Sequence, residues 1–405
     1  MGLCASQAID EAALRRIYEL EEEKELGKGS YAVVLRATHR ATGEVVAVKR
    51  MEKTENLPPF YWQPEVTLLR QCKHENIIGL RNVFQSATHV FIVMELAAGG
   101  ELFEALISEG AYSEWDAKRF VRDVLEALRF LHGQNIVHRD IKPENLLLTS
   151  KNTKEAHIKL ADFGTAMVIS DKSIFRSEHL TWAYCAPEVL RDMQKSIDPA
   201  DEPGATTSAF NPKSDVWSVG IVLYVLLSAI HPFDPDGRHT KDQMVQKILQ
   251  GEFAMSDKLW DDISSEAKAF IHQLLTADPK QRPNAADALQ HEWFSSAQTP
   301  RAPLKVSTSN GLGQYQRLMQ RKFRTSVRAA MAAQSLRRSL QRIRNSKNAM
   351  VQAEELQPAE TVEQPNRVAT SDSLLAQTLP RQPSALSKVF QTQRGEEDEA
   401  EDPLQ

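Results

Sequence analysis

The chain has 405 residues, of which 41% are hydrophobic and 25% charged, and its formal net charge is −5. These values are typical of soluble globular proteins, and the acidic balance argues against a protein whose main partner is a nucleic acid. Three cysteines are too few for a disulfide framework, which favours a reducing compartment. The most apolar stretch, residues 216–230, is shorter than the ~20 residues that a membrane span needs, so it predicts a buried core helix.

The first residues, MGLCAS, match a pattern for lipid attachment. Gly2 followed by Ser6 fits N-terminal myristoylation, and Cys4 is a candidate for palmitoylation. One myristoyl chain supports only reversible membrane binding, so a stable anchor requires a second signal. Two interpretations stay open: an acyl anchor at the cytoplasmic face of a membrane, or a chance match in an unmodified terminus.

Composition divides the chain into five segments. A short leader precedes a globular region, a linker rich in Ser, Thr and Pro, a basic helix-favouring segment, and an acidic tail that is predicted to be disordered. These segments are residues 1–17, 18–294, 295–312, 313–348 and 349–405.

The globular region changes character along its length. Residues 24–50 alternate apolar and polar side chains, which predicts antiparallel strands around a hairpin near Thr42 and Gly43. Residues 91–96 predict another strand, and beyond Glu101 the helical period dominates. A strand-rich first part and a helix-rich second part predict two lobes with a cleft between them.

Five motifs in this region carry chemistry. Gly27 and Gly29, in LGKGSYAVV, allow backbone N–H groups to approach phosphates. Lys49 ends an apolar strand, a position that is costly to half-bury unless the ammonium meets an anion. HRDIKPEN, at 138–145, brings a carboxylate, a cation and an amide onto one loop. The last two motifs are DFG at 162–164 and APE at 186–188. Their order matches the signature set of protein kinases, so residues 18–294 resemble the eukaryotic protein kinase family.

The resemblance implies an α+β, bilobal fold, in which ATP lies between a small antiparallel β lobe and a larger, mostly helical lobe, with Mg²⁺ as the metal cofactor. It implies that Asp140 accepts the proton of the substrate hydroxyl and that Lys142 steadies the γ-phosphoryl group. Thr181 is expected to contact both. The implied Mg²⁺ ligands are Asn145 and Asp162.

The same resemblance implies a set of nucleotide contacts. Lys49 holds the α- and β-phosphates and pairs with Glu65. Met94 takes the gatekeeper position, and the backbone of Glu95 and Leu96 meets the adenine. The other expected contacts belong to the glycine loop and the adenine pocket: Leu26, Gly27, Lys28, Gly29, Ser30, Tyr31, Ala32, Val33, Val34, Ala47, Glu101 and Leu147.

Further residues indicate the class of kinase. Lys142, two residues after Asp140, and Thr181 resemble serine/threonine kinases, and stretches such as GGELFEAL look most like the calcium/calmodulin-dependent group. The substrates implied are proteins with Ser or Thr. Glu101 and Glu144 match positions that meet substrate arginine in basophilic kinases, unless both are solvated surface charges. The alternative function is a catalytically silent, membrane-tethered scaffold that recruits calmodulin.

The sequence departs from the family pattern at three places. Ala32 replaces the third glycine of the loop, which predicts a slightly stiffer loop. Pro64 directly precedes the expected partner of the lysine, which predicts that the helix starts late. Trp182 and Ala183 replace the usual residues near the substrate peptide, and residues 191–212 are longer than usual, so the substrate sequence is left open.

Two serines are predicted phosphorylation sites. Arg139 precedes the catalytic aspartate, and in the family such an arginine pairs with a phosphate on the activation segment. Ser177 is in the usual place for that phosphate, with an ordinary loop serine as the alternative. Ser384, in LPRQPS, fits the apolar-x-Arg-x-x-Ser preference of the group and predicts autophosphorylation.

The basic segment predicts an amphipathic helix. Residues 314–347 hold ten Lys or Arg and no acidic residue. Phe323, Val327 and Met331 recur every four residues, and Leu336 completes a 1-5-10 spacing. Such a helix is typical of a calmodulin target or of a membrane-surface helix, and an ordinary helix that docks on the kinase is a third interpretation. The hypothesis is that it occludes the cleft until Ca²⁺-calmodulin removes it.

Overall fold

A computed structural model of the chain describes residues 10–28, 32–53, 62–169, 181–195, 211–255 and 258–322. The strands are β1 (Tyr18–Lys28), β2 (Ala32–His39), β3 (Val45–Glu52), β4 (Leu80–Gln85), β5 (His89–Glu95), β6 (Gly100–Glu101), β7 (Ile136–Val137), β8 (Leu146–Leu148), β9 (Ile158–Leu160) and β10 (Met167–Val168). The helices are α1 (Glu11–Ile17), α2 (Gln63–Gln71), α3 (Leu102–Glu109), α4 (Glu114–Gly133), α5 (Pro187–Lys195), α6 (Lys213–Ser228), α7 (Lys241–Gln250), α8 (Ser265–Leu274), α9 (Ala285–Ala288), α10 (Glu292–Ser295), α11 (Lys305–Thr308) and α12 (residues 311–322).

The small lobe is an antiparallel sheet in the order β1-β2-β3-β5-β4. Because successive strand residues point to opposite faces, β5 serves two cores. Phe91 and Val93 belong to the cluster that includes α1, while Val90 and Ile92 join the main core with α2. The predicted bilobal α+β fold is confirmed, since the described elements beyond β5 are mainly helices.

Part of the predicted leader belongs to this lobe. Residues 11–17 form α1, and the Asp10 side chain caps the helix by accepting a hydrogen bond from Ala13 N at 2.7 Å. Ala13 and Leu14 are buried in the same cluster as Phe84 of β4. The helix therefore closes one face of the sheet.

Pro64 fits the first turn of α2. The helix begins at Gln63, and a proline in this turn costs little because its missing N–H would have no partner in the helix. Glu65 follows in the same turn and is 3% exposed. The helix thus starts just early enough to hold Glu65 inside the protein.

The large lobe is organised around α4 and α6. Ser113 and Asp116 form a reciprocal capping box at the start of α4. All residues from Ser214 to Ser228 of α6 are buried, which confirms the prediction of a core helix for the apolar stretch at 216–230. Within the described ranges, no helix has both the length and the apolar character needed to cross a membrane.

The segment expected to be a linker, residues 295–312, packs against the large lobe instead. Leu304 N donates to Tyr112 O at 2.8 Å, and Leu304 and Leu312 are buried. Lys118 of α4 is also buried, and its Nζ donates to three oxygen atoms: Trp293 O, Ser296 O and Thr299 Oγ1. A few apolar residues among many Ser, Thr and Pro anchor this segment, and α12 begins at residue 311 rather than 313.

Candidate active site

The loop after β7 carries Asp140 and Lys142, and Thr181, just before the turn Trp182–Tyr184, lies against both. Lys142 Nζ lies 2.7 Å from Asp140 Oδ2 and donates to Thr181 Oγ1 at 3.0 Å. Thr181 Oγ1 donates in turn to Asp140 Oδ1 at 3.1 Å. Burial alone would lower the pKa of Lys142, but the charge and hydrogen bond of Asp140, together with the charges of Glu144 and Asp162, raise it. We call these three residues the catalytic triangle.

Asp215, at the start of α6, holds the backbone of this loop. Its Oδ2 accepts from His138 N at 2.9 Å, and its Oδ1 accepts from Arg139 N at 2.8 Å. His132 Nε2 lies 2.9 Å from Oδ2. Arg139 has a φ of +70°, a left-handed conformation that is strained for a residue with a Cβ. The buried carboxylate therefore stabilises a strained loop next to the triangle.

Lys49 reaches two carboxylates from different elements. Its Nζ lies 2.7 Å from Glu65 Oε1 on α2 and 3.0 Å from Asp162 Oδ1, two residues beyond β9. The charge of Lys49 holds the pKa of Asp162 well below its usual range. Burial would lower the pKa of Lys49, but the charges of Asp162 and Glu65 raise it. The structure thus forms the expected lysine–glutamate pair, with Pro64 next to it in the first turn.

Asn145 and Asp162 offer oxygen atoms of the kind that Mg²⁺ prefers. Asn145 Nδ2 donates to Asp140 O at 2.8 Å and to Asp140 Oδ2 at 3.0 Å, so the amide oxygen remains an acceptor. The carboxylate of Asp162 is kept ionised by Lys49. An amide oxygen and an ionised carboxylate are a donor set that fits the cation.

The residues expected to contact the nucleotide lie on neighbouring strands. Ala47 of β3 pairs with Met94 of β5, and Leu147 of β8 pairs with Lys159 of β9. Leu26, on β1, is 47% exposed. The other expected contacts within the described ranges lie on or next to β1, β2, β5 and β6: Gly27, Lys28, Ala32, Val33, Val34, Glu95, Leu96 and Glu101.

Glu101 and Glu144 lie in one acidic group. Burial, together with the charges of Glu104 and Glu144, raises the pKa of Glu101 to about 7. Burial also raises the pKa of Glu144. Glu101 is half-buried whereas Glu144 is exposed, and the charge of Glu144 acts on Glu101 by repulsion.

An ion pair braces the end of the activation segment. Arg282 is 0% exposed, and its two terminal nitrogens donate to Glu188 Oε1 at 2.8 Å and Oε2 at 3.1 Å. The pair is therefore bidentate. Several residues predicted to contact the nucleotide or to serve regulation lie outside the described residues: Gly2, Cys4, Gly29, Ser30, Tyr31, Ser177, Ser384, Phe323, Val327, Met331 and Leu336.

Helix α12 makes contacts that the sequence reasoning missed. The Tyr315 hydroxyl lies 2.9 Å from the Tyr184 hydroxyl, and its ring meets Phe103 of α3 edge-on, with centroids 6.2 Å apart. At the end of the helix, Lys322 Nζ forms a salt bridge with Asp234 and donates to His239 O at 2.7 Å. We call this set of contacts the α12 docking face.

A glycine permits the close approach of α12. A Cβ on Gly237, which has a φ of +71°, would lie 2.6 Å from Leu318 Cδ2. Leu312 and Tyr315 are buried, whereas Arg317 and Gln320 are exposed. The spacing of the buried residues Leu312 and Tyr315 is a signal for this docking face. The stronger signal in the sequence is the basic stripe, which favours the residues that follow α12.

Comparison with known proteins agrees with this geometry. The model of the protein kinase domain family matches residues 20–294. The chain therefore belongs to the protein kinase family, and its relatives place it in the serine/threonine class. Members of this family use ATP and Mg²⁺ as a rule.

Three relatives illustrate the likeness. The probable serine/threonine-protein kinase fhkD of Dictyostelium discoideum is 39% identical over 275 residues, which are 67% of this chain and 36% of that protein. Myosin light chain kinase A of Dictyostelium discoideum is 35% identical over 70% of this chain and 90% of its own length. Calcium/calmodulin-dependent protein kinase type IV of Mus musculus is 33% identical over 94% of this chain and 73% of its own length. The chain thus spans about a third of the first relative's length and most of the other two.

Proposed function

We propose that the protein transfers the γ-phosphoryl group of MgATP to serine and threonine hydroxyls of protein substrates. The observation that carries this proposal is the catalytic triangle. A carboxylate in contact with an ammonium can accept a hydroxyl proton while the cation offsets the charge of the transferred group. Membership of the protein kinase family supports the same reaction.

Each part of the site has one task in this proposal. Asp140 accepts the proton as the substrate hydroxyl attacks, and Lys142 offsets the negative charge beside it. Lys49, already paired in the structure, binds the α- and β-phosphates. Mg²⁺, when bound by Asn145 and Asp162, neutralises phosphate charge.

Phosphate transfer by the full-length protein tests the assignment. Asp140→Asn keeps the shape of the side chain and removes its basicity, so transfer to a basic Ser/Thr peptide should fall by about 100-fold or more. Asp261→Asn is the matched control because Asp261 is an exposed carboxylate of the same lobe. Equal transfer by the Asp140→Asn and control proteins would reject Asp140 as the proton acceptor.

We propose that the acidic group of Glu101 and Glu144 binds basic side chains of the substrate. Glu101 is half-buried and Glu144 is exposed, and a bound cation relieves the repulsion between the two carboxylates. A peptide with arginine upstream of the serine should therefore have a lower KM than the same peptide with glutamine. Equal KM values for the two peptides would overturn this assignment.

We also propose that α12 is autoinhibitory. Tyr315 contacts Tyr184, in the three-residue turn Trp182–Tyr184 that directly follows Thr181. Phe103 forms the other side of the contact. A substrate that presents its hydroxyl to the triangle must pass along this turn, so a docked α12 competes with the substrate rather than with ATP.

Release of α12 is assigned to Ca²⁺-calmodulin. The predicted anchors Phe323 to Leu336 continue directly from α12, so a protein that wraps around them would pull on the Lys322 salt bridge. Relatives named as calcium/calmodulin-dependent kinases support this partner. In an assay of the full-length protein, Ca²⁺-calmodulin should raise activity and Lys322→Met should reproduce part of the rise. The control Arg317→Ala changes an exposed cation of α12 and should have basal activity like the original. No rise with either calmodulin or Lys322→Met would contradict the proposal.

Membrane attachment through Gly2 and Cys4 is a separate proposal. It is supported by the N-terminal pattern and by the basic segment that offers a second membrane signal. Fractionation of cells with the original chain and with Gly2→Ala tests it. A lower membrane fraction is expected for Gly2→Ala, and equal fractions would reject the acyl anchor.

A further inference from the structure

One ion pair joins the two lobes behind the cleft and has no part in the proposed chemistry. Lys159, in the middle of β9, places its Nζ 2.7 Å from Oε1 of Glu95, the last residue of β5. The two side chains are only 16% and 21% exposed. Glu95 Oε2 also lies 3.8 Å from Nη2 of the more exposed Arg81, so Lys159 is the nearer of its two compensating cations.

The carboxylate of Glu95 has a second task. Gly79 N donates to Glu95 Oε1 at 2.7 Å, and Glu95 N donates back to Gly79 O at 2.9 Å. A Cβ on Gly79 would lie 3.3 Å from Glu95 Cδ and 3.1 Å from Arg81 Nη1, so a larger residue would crowd this contact. Glu95 is thus hydrogen-bonded to the segment before β4 through both its backbone and its side chain.

That same segment is bonded to β9. Leu160 N donates to Asn76 O at 2.8 Å, and Ile78 N donates to Leu160 O at 3.0 Å. The side chain of Asn76 donates to Ile158 O at 3.1 Å. The end of β5, the segment at 76–79 and β9 therefore form a closed circuit, in which the pair of Glu95 and Lys159 is one of the two shortest links.

The circuit joins the two ends of the nucleotide site. The backbone at Glu95 is the expected contact of the adenine, and Asp162, the expected metal ligand, follows Lys159 by three residues. Leu147, the expected neighbour of the adenine ring, pairs directly with Lys159. A nucleotide must reach both ends at once, so its affinity depends on the distance between them.

We propose that Glu95 and Lys159 are positioning residues that set the spacing between the adenine contact and the metal ligand, and so set the affinity for a purine nucleoside triphosphate. The inference rests on the proposed nucleotide site. Loss of the ion pair lowers the affinity for ATP and leaves the peptide contacts on the large lobe unchanged. A merely structural pair would instead lower thermal stability and affect both substrates alike.

The test uses the full-length protein and two neutral variants. Glu95→Gln keeps an oxygen for Gly79 N and removes the charge, while Lys159→Met keeps the alkyl chain. Each variant should raise the KM for ATP and the Kd of trinitrophenyl-ATP by about 10-fold, equivalent to ~1.4 kcal/mol. The KM for the peptide should stay within twofold of the original. The double variant should be no worse than either single one, because both remove the same interaction.

Two control variants sharpen the result. Lys159→Arg retains the cation and should recover most of the ATP affinity. Glu19→Gln removes an exposed partner of Arg40, 3.2 Å from its Nη1, and should leave the KM for ATP unchanged. If Glu95→Gln fails to fold, Lys159→Met decides alone, since it leaves the Gly79 contact intact.

The outcomes separate this inference from the function on which it rests. An ATP affinity within twofold of the original in both neutral variants, or equal rises of both KM values, would overturn the positioning role. If the original protein binds no nucleotide, or if Lys49→Met leaves phosphate transfer unchanged, the nucleotide site itself is wrong. A rise confined to ATP in the neutral variants, with recovery in Lys159→Arg, would establish the role.

Discussion

The catalytic triangle with the Lys49 pair and the α12 docking face are two polar regions of the protein that differ in which elements supply their partners. In the first region every charged partner comes from within the kinase domain, and Lys49 alone touches two carboxylates. On the docking face, one partner of each contact lies on α12, including Tyr315 and Lys322. If α12 leaves, all contacts of the docking face are therefore lost, while the contacts of the catalytic site remain.

The two regions also differ in how much the loss of one side chain costs. Glu65 and Asp162 share Lys49 as their nearest cation, so the loss of this lysine is severe. The docking face combines a hydroxyl pair, an aromatic contact and one lysine, which are individually modest interactions. The structure thus favours a permanent catalytic site covered by a removable helix.

The largest expected effect belongs to Lys49→Met, which changes the catalytic site and leaves the docking face intact. Without the ammonium, Glu65 and Asp162 face each other without compensation, and the phosphates lose their cation. Phosphate transfer should fall by about 1,000-fold, while α12 stays docked. Activity is measured with saturating peptide in the presence of Ca²⁺-calmodulin, so that autoinhibition does not hide the effect.

The control for this variant is Lys24→Met, an exposed lysine of β1 that pairs with Glu21. Its activity should match the original protein within a factor of about 2, as is usual for surface charges. A loss of less than tenfold for Lys49→Met would contradict the assignment of the phosphate contact.

The second prediction concerns the docking face. Tyr315→Ala removes a buried aromatic ring that stabilises the docked α12 by ~3 kcal/mol. Basal activity without calmodulin should therefore rise by about 10- to 30-fold, a limit reached when α12 is fully released. Tyr315→Phe removes only the hydroxyl contact and should give a rise of about 5-fold, corresponding to ~1 kcal/mol. Gln320→Ala, on the exposed side of α12, is the control. Basal activities that are equal in all three variants would show that α12 does not restrain the enzyme.

The same comparison explains what the sequence could predict. The catalytic loop and the DFG segment are local motifs, so HRDIKPEN already groups Asp140, Lys142 and Asn145 before the fold is known. The strand-to-helix change of period likewise predicts two lobes. The residues of the triangle and of the Lys49 pair were therefore accessible from short patterns, and the structure brings them within hydrogen-bond distance.

The rest depends on contacts between distant segments. Leu304 and Leu312 anchor the segment at 295–312, but Ser, Thr and Pro around them are typical of a linker. In the same way, no sequence pattern links Glu95 to Lys159, because they are 64 positions apart and meet only in the folded protein. Tertiary packing of a few apolar or charged side chains outweighed local composition at both places.

The last prediction uses pH to probe the acidic group beside the triangle. The pKa of Glu101 is about 7, raised by burial and by the charges of Glu104 and Glu144. Its carboxyl is neutral below that pH and negative above it, so affinity for a cationic peptide should increase as pH rises from about 6 to 8. From the ionised fractions, the KM for an arginine-containing peptide should fall by about 5- to 10-fold over this range.

Paired peptides isolate this effect from the pH dependence of ATP binding and catalysis. A peptide with glutamine in place of arginine should show a much smaller fall in KM, because it gains no charge interaction with Glu101. In Glu101→Gln the difference between the two pH profiles should shrink. Identical profiles for the arginine and glutamine peptides would mean that substrate cations do not reach this carboxylate, and that the acidic group shapes the site only by repulsion.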